Sequence, residues 1–464
     1  MNRETARTTS SSGRLSICVI GGGPAGMAAA WTASSCGAGV TLLERAEQLG
    51  GVLPQCIHNG FGTQILHADL TGGEYAARWE ERVRQRDIDV RLGATVMSAQ
   101  ECSGDDRERA EDPRRGGWLV HYVDARSGSA LLRCDAVILA CGCRERTLPQ
   151  MDIPGSRPAG IFTAGEAQQM MNLENYLPGR SAVILGSGDI GLIMARRLTL
   201  EGIPVKMILG EKASGLARNV VQCVRDFDLP LRYGWTVAST HGYKRLKGVN
   251  IREVNGSGRE YIPCDMLLLA AGLVPDTAAF ANCLGRPGFV VCGNADHVFD
   301  LVDHVTVSAV RAAVRVCGVR EEELPADVRR LLEADLPQQK KDRQGNMVCT
   351  VCPQSCVLQV RESPFAVTGQ GCPRGEAFAR QELSDPRRVV TTVLRVRAEA
   401  APDLPETVSV RTGGTVSRAE IPAVMRAARR TVIDHPVRIG DEIRGGAYTF
   451  VVTSNRCDGR PASH

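Results

Sequence analysis

Short, uninterrupted apolar runs recur at residues 15–20, 136–140 and 182–185, and glycines follow each one. Strands buried on both faces read this way, without polar alternation, and belong to parallel sheets. Helical patterns at 24–35 and 190–201 follow two of the runs. The chain therefore predicts βαβ units and a doubly wound α/β fold. A charged, turn-rich stretch at 98–117 predicts a surface hairpin loop or insertion. Residues 321–345 share that character, with a helical piece near 326–334, and predict an interdomain linker. Beyond it, alternation at 388–396, a helical stretch at 419–430 and a strand at 448–453 predict a small α+β domain.

Length fits this picture, because 464 residues at roughly 100–200 per domain imply two to four domains. Hydrophobic residues make up 43% and charged residues 23%, ordinary values for a globular protein. No run approaches the ~18 apolar residues of a membrane span. The polar, Ser- and Thr-rich residues 1–13 read as a disordered tail without the apolar core of a secretory signal, so a cytoplasmic location is expected. The net charge is only +4, and the cations are scattered, which gives nucleic-acid binding no support. Glycine (49) and cysteine (17) are both abundant. In a reducing compartment many cysteines point to metal or redox chemistry, or to small buried side chains, before disulfides.

The first glycine turn is Ile20-Gly21-Gly22-Gly23-Pro24-Ala25-Gly26, at a predicted strand-to-helix junction, with Thr41-Leu42-Leu43-Glu44 ending the next strand. In such a turn Gly21 permits the tight bend, Gly23 lets backbone approach a pyrophosphate, and Gly26 lets helix and strand pack closely. Glu44 stands where an acid bonds a ribose hydroxyl. The second turn, Gly186-Ser187-Gly188-Asp189-Ile190-Gly191, repeats the pattern. Here the following strand ends Met207-Ile208-Leu209-Gly210-Glu211, so the acid sits one step late. No Arg doublet appears for a 2′-phosphate, which favours NAD over NADP.

Two nucleotide folds in this order resemble the pyridine nucleotide-disulfide oxidoreductase superfamily, over about residues 15–318. The resemblance implies a return segment to the first domain at 264–272, followed by Gly293-Asn294-Ala295-Asp296, with Asn294 where an Asp is usual, and a crossover at Cys141-Gly142-Cys143-Arg144-Glu145-Arg146. It implies FAD held by Gly21, Gly23, Pro24, Ala25, Gly26, Glu44, Arg45, Gly51, Val96, Ala140, Gly142 and Asn294. It likewise implies a nicotinamide held by Gly186, Gly188, Asp189, Ile190 and Gly191. The residues from Gly50 to Gly62, with Cys56 and His58, and the run Gly142 to Thr147 are similar to the flavoprotein often encoded beside anaerobic-type glycerol-3-phosphate dehydrogenases. Gly210 and the short stretch 276–288 depart from that pattern. Cys56 has no second cysteine a few residues on, and Cys141-x-Cys143 is too strained for a redox bridge, which disfavours a thiol–disulfide mechanism. Cys56 and His58 remain candidates for a thiolate and proton donor at the flavin, or for a small buried thiol beside a structural imidazole.

Cys349, Cys352, Cys356 and Cys372 form C-x2-C-x3-C-x15-C. Four thiolates can close a zinc site or hold a [4Fe-4S] cluster. Three on one loop with a distant fourth beside Pro373 favour the cluster over zinc. The segment resembles the cluster-binding stretch of molybdopterin oxidoreductases, and about 346–460 as a whole resembles the uncharacterised domain DUF1667. The expected plan is an FAD-binding domain at 14–155 and 264–320, a NAD(P)-binding domain at 156–263, the linker at 321–345 and the four-cysteine domain at 346–464. The expected function is electron exchange between NAD(P)H and a partner through flavin and cluster. By resemblance the partner is a glycerol-3-phosphate dehydrogenase-like flavoprotein, and a homo-oligomer is also open. The alternative is a self-contained NAD(P)H oxidase or thiol-dependent reductase using Cys56, with a structural zinc tail, and a third reading is a scaffold that binds flavin and docks partners.

Overall fold

The computed structural model describes residues 14–102, 117–334, 336, 345–397 and 407–454. The tail expected at 1–13, and residues 103–116 of the expected loop, lie outside the described residues. The chain divides into two compact units: one runs through residue 54, then 61–144 and 274–336, and the other holds 55–60, 145–273 and 337–464.

The first unit is built on a five-stranded parallel sheet in the order Phe289–Val291, Ala136–Leu139, Ser16–Ile20, Gly39–Leu43, Ile88–Arg91. The inner strands are buried on both faces, with Cys18, Val19, Leu42, Val137, Ile138 and Leu139 fully enclosed. The helix Pro24–Ser35 follows the first strand and is buried from Ala25 to Ala33. It carries no polar face because it packs under the sheet and against the helix Val302–Cys317 at once. Its run of alanines keeps the two helices close, and Trp31 meets Trp79 edge-on at 5.9 Å. An antiparallel three-stranded sheet, Thr95–Glu101, Trp118–Asp124 and Gly128–Cys134, completes the unit. The start of the expected linker differs from expectation. Leu324, Val328 and Leu331 bury in this core, and Ala326–Leu332 is a helix packed on Val302–Cys317.

The second unit repeats the plan. Its parallel sheet runs Ile161–Thr163, Met266–Leu269, Ala182–Leu185, Val205–Gly210, Leu231–Tyr233. An antiparallel sheet of Trp235–Gly242, Leu246–Glu253 and Arg259–Pro263 lies beside it in sequence. One expectation is corrected here: the apolar run 264–272 does not return to the first unit. Met266–Leu269 is an interior strand of the second sheet, paired on both edges, and the chain re-enters the first unit at Val274. A fully apolar strand suits the interior of either sheet, so its pattern alone cannot choose between them.

The C-terminal part of this unit carries a five-stranded sheet in the order Val432–Ile433, Thr391–Val396, Thr407–Thr412, Tyr448–Val452, Glu442–Gly445. The helix Ile421–Arg430 turns Ile421, Val424, Met425 and Ala428 into the core at helical spacing. Leu200, last residue of the helix Asp189–Leu200, belongs to that same core. Arg388 ties the pieces further. Its guanidinium, 3% exposed, holds Asp226 through Nε at 2.6 Å and Nη2 at 3.1 Å, and Glu382 through two bonds of 2.7 Å.

Candidate functional site: two glycine turns and a cysteine segment

In the first unit the turn after Ser16–Ile20 is as tight as backbone allows. Gly21 has φ +103°, and a Cβ there would stand 2.5 Å from the Ala140 carbonyl oxygen. A Cβ on Gly26 would lie 1.6 Å from the Gly21 oxygen, whereas Gly23 has nothing nearer than 3.9 Å. Two glycines thus close the turn and the third leaves its backbone open to a pyrophosphate, at the N-terminus of Pro24–Ser35. Pro24 is the first helical residue, where its missing N–H costs nothing. Gly51, at φ +57°, brings a second backbone segment against Gly23.

Glu44 is 7% exposed. Its Oε2 accepts from the Gly22 N–H and its Oε1 from Ala46 N–H at 2.7 Å, so the carboxylate stands at the turn with fixed orientation. Arg45 beside it is exposed. Gly293 would place a Cβ 2.6 Å from that of Ala25, which sets Asn294 next to the start of the glycine helix. Asn294 Oδ1 accepts from Phe299 N–H at 3.0 Å, so the amide shapes its own loop. Gly142, at φ +77°, has open space where a Cβ would stand, and Val96 packs half-buried in the adjoining core. These residues fit a dinucleotide laid along the carboxyl ends of a parallel sheet.

In the second unit the geometry recurs. A Cβ on Gly186 would stand 2.1 Å from the Ala270 oxygen, one on Gly191 2.2 Å from the Gly186 oxygen, and one on Gly188 has nothing within 3.8 Å. Asp189 Oδ1 accepts from Leu216 N–H at 2.6 Å and Asn219 Nδ2 at 2.9 Å, holding the loop after Val205–Gly210 against the helix start. Ile190 stands out at 39% exposure. The glycine at 210 has a local reason: a Cβ there would meet the Ser187 hydroxyl at 2.1 Å, and that hydroxyl donates to the Lys212 carbonyl at 2.9 Å.

Cys56 and His58 belong to the second unit. The Cys56 thiol donates toward Gln168 Oε1 at 3.7 Å, and burial pushes it up to about 12. His58 is pushed down to about 3 by burial and by the guanidiniums of Arg218 and Arg196. At neutral pH the pair is a protonated thiol and a neutral imidazole, the reverse of a thiolate with an imidazolium donor. Gln168, Arg196 and Arg218 carry no local motif; an arginine among many scattered arginines gives no signal of such a role.

The four cysteines lie in a small part of the second unit with its own short sheet, Met347–Val348, Val357–Glu362 and Phe365–Thr368. Cys349 N–H donates to the Cys356 carbonyl at 2.8 Å, and Ser355 turns the loop at φ +51°. A Cβ on Gly371 would stand 3.3 Å from Cys356 Sγ, so the Cys372 segment adjoins the first loop. Burial and then the three other thiols raise Cys349 to about 11. The donor set suits a soft metal or cluster. Even so, among the described residues no three Cys, His, Asp or Glu side chains are drawn together as a metal-holding group. No disulfide joins the described cysteines, and no helix among the described residues is long and apolar enough to cross a membrane.

Residues 373–448 match the family described as "Protein of unknown function (DUF1667)". Over 301 residues the chain is 27% identical to an opine oxidase subunit from Agrobacterium tumefaciens, a match covering 61% of this chain and 57% of that protein. It is 26% identical over 291 residues to the hydrogen cyanide synthase subunit HcnB of Pseudomonas protegens, covering 57% of each. The chain spans somewhat over half the length of these relatives. In fold it is similar to thioredoxin reductase of T. acidophilum, with a TM-score of 0.52 at 18% identity, covering 65% of this chain and 97% of that one. Residues 15–288 match the family described as "Pyridine nucleotide-disulphide oxidoreductase", and with both glycine turns in place the chain belongs to that family of flavin-dependent redox enzymes.

Proposed function

We propose that the chain exchanges electrons between NAD(P)H and an acceptor, with FAD at the first glycine turn, the nicotinamide cofactor at the second and a [4Fe-4S] cluster at Cys349, Cys352, Cys356 and Cys372. The observation that carries the reading is the repeated turn: each sheet has two glycines closed against a neighbouring carbonyl and a third left open. When bound, these groups would supply hydride exchange and the splitting of an electron pair into single electrons. The chain's own part is placement. Gly23 and Gly188 leave backbone free for a pyrophosphate, Glu44 receives the ribose, and Asp189 holds the loop that borders the nicotinamide turn. Cys56 and His58 give steric and polar form to their segment, the thiol protonated and the imidazole neutral at neutral pH. The relatives named above are described as subunits, which supports a partner protein, and the resemblance to the flavoprotein of glycerol operons points to a glycerol-3-phosphate dehydrogenase-like one, in the cytoplasm.

Anaerobic mixing with NADH should bleach the flavin absorbance within seconds, and Cys56→Ser should leave that bleaching intact. Flavin that dithionite reduces but neither NADH nor NADPH does would overturn the reading. Iron and sulfide analysis of anaerobically purified protein tests the cluster separately, and one stoichiometric zinc in place of iron would refute it.

A further inference from the structure

Two guanidiniums in the second unit lack the partners that burial demands. Arg218 is 6% exposed, and its Nε and Nη1 have no hydrogen-bond partner; the Nε of Arg196 is likewise buried and unpartnered. Both belong to one neighbourhood. Arg218 Nη1 lies 3.7 Å from where a Cβ on Gly60 would stand, over the segment that carries His58. Arg196 lines a small cavity with His58, Asn172, Arg197 and Thr391.

The nearby carboxylates are engaged elsewhere. Asp226 takes Arg388 and Arg418, Glu201 takes Arg197 and Arg429, and Asp189 accepts from Leu216 N–H and Asn219. Among the described residues no ion pair joins a carboxylate to Arg196 or Arg218. Unpaired buried charge is expensive, and a hydrogen-bonded counter-ion is the usual remedy. The cavity measures about 20 Å³, room for one group the size of a water molecule or a halide, and too little for a phosphate ester. A water molecule would satisfy the donors and leave the charge.

We propose that the cavity lined by Arg196, Arg197 and His58 is a binding site for a small monovalent inorganic anion of the chloride class. Nothing in this depends on the electron-transfer reading. The anion adds negative charge beside an imidazole that burial, and then two cations, hold neutral, which makes the segment from Cys56 to Gly60 responsive to salt type.

The test uses the full chain in sodium chloride, bromide or gluconate at equal ionic strength. The unfolding temperature should rise saturably by about 2–4 °C in chloride or bromide over gluconate. Arg196→Gln should lose most of that rise, whereas Arg286→Gln, at an exposed position, should keep it. Crystals of the unaltered protein soaked in bromide should show an anomalous peak beside Arg196, which needs no variant to fold. An equal halide response in the wild type and Arg196→Gln, or a bromide-soaked crystal with only water in the pocket, would overturn the proposal.

Discussion

A methyl group at position 191 would stand 2.2 Å from a backbone oxygen, so the smallest side-chain addition tests whether the second glycine turn holds a nicotinamide cofactor. Gly191→Ala should weaken NADH binding at least tenfold by tilting the helix off its strand, while bound flavin stays at wild-type stoichiometry; equilibrium titration against flavin content checks both. His58 makes a second test. Its folded-state pKa, pushed down to about 3, lies below the ~6.5 of an unfolded chain. The stability it contributes is therefore present above pH 6.5 and lost as pH falls from there toward 3, because the unfolded state takes up the proton first. The residue as a whole is half-buried, and solvent screening trims the effect to on the order of 1 kcal/mol between pH 6.5 and 5. Urea unfolding in chloride-free buffer should show that slope in the wild type and a shallower one in His58→Asn.

At the scale of elements, the glycine turns are legible in the sequence because strand, turn and helix there are settled within a dozen residues, and the space each glycine needs is set by the turn itself. The strand Met266–Leu269 is legible as a strand and illegible as to its sheet, since its pairing with Ala182–Leu185 lies some eighty residues upstream. The clasp at Arg388 leaves no trace at all: Asp226 precedes it by 162 residues, and neither neighbourhood is unusual. Removing one side of a buried pair leaves a charge uncompensated, a loss of about 3–5 kcal/mol. Arg388→Met should shift the urea midpoint accordingly, and adding Asp226→Leu should restore part of it. A surface ion pair would show neither the size of the loss nor the rescue.

For the whole molecule, the C-terminal part and the half with the second glycine turn belong to one unit, joined where Leu200 enters the C-terminal core, at Arg388, and by the bond from Arg196 Nη2 to the Val389 carbonyl at 3.1 Å. A chain ending at residue 345 would leave Asp226 without Arg388 and expose Leu200. The half with the second glycine turn should melt well below that of the full chain, while flavin binding, proposed for the other unit, should persist; calorimetry with flavin fluorescence would separate the two transitions. A melting profile unchanged by the truncation would show that the C-terminal part is only tethered. The arginine clasp also bears on how such a protein can be altered over generations. Exchanging the C-terminal part for a relative's, without the matching acid at 226, would leave Arg388 with Glu382 alone, so a graft that is to keep the joint must carry both sides of it.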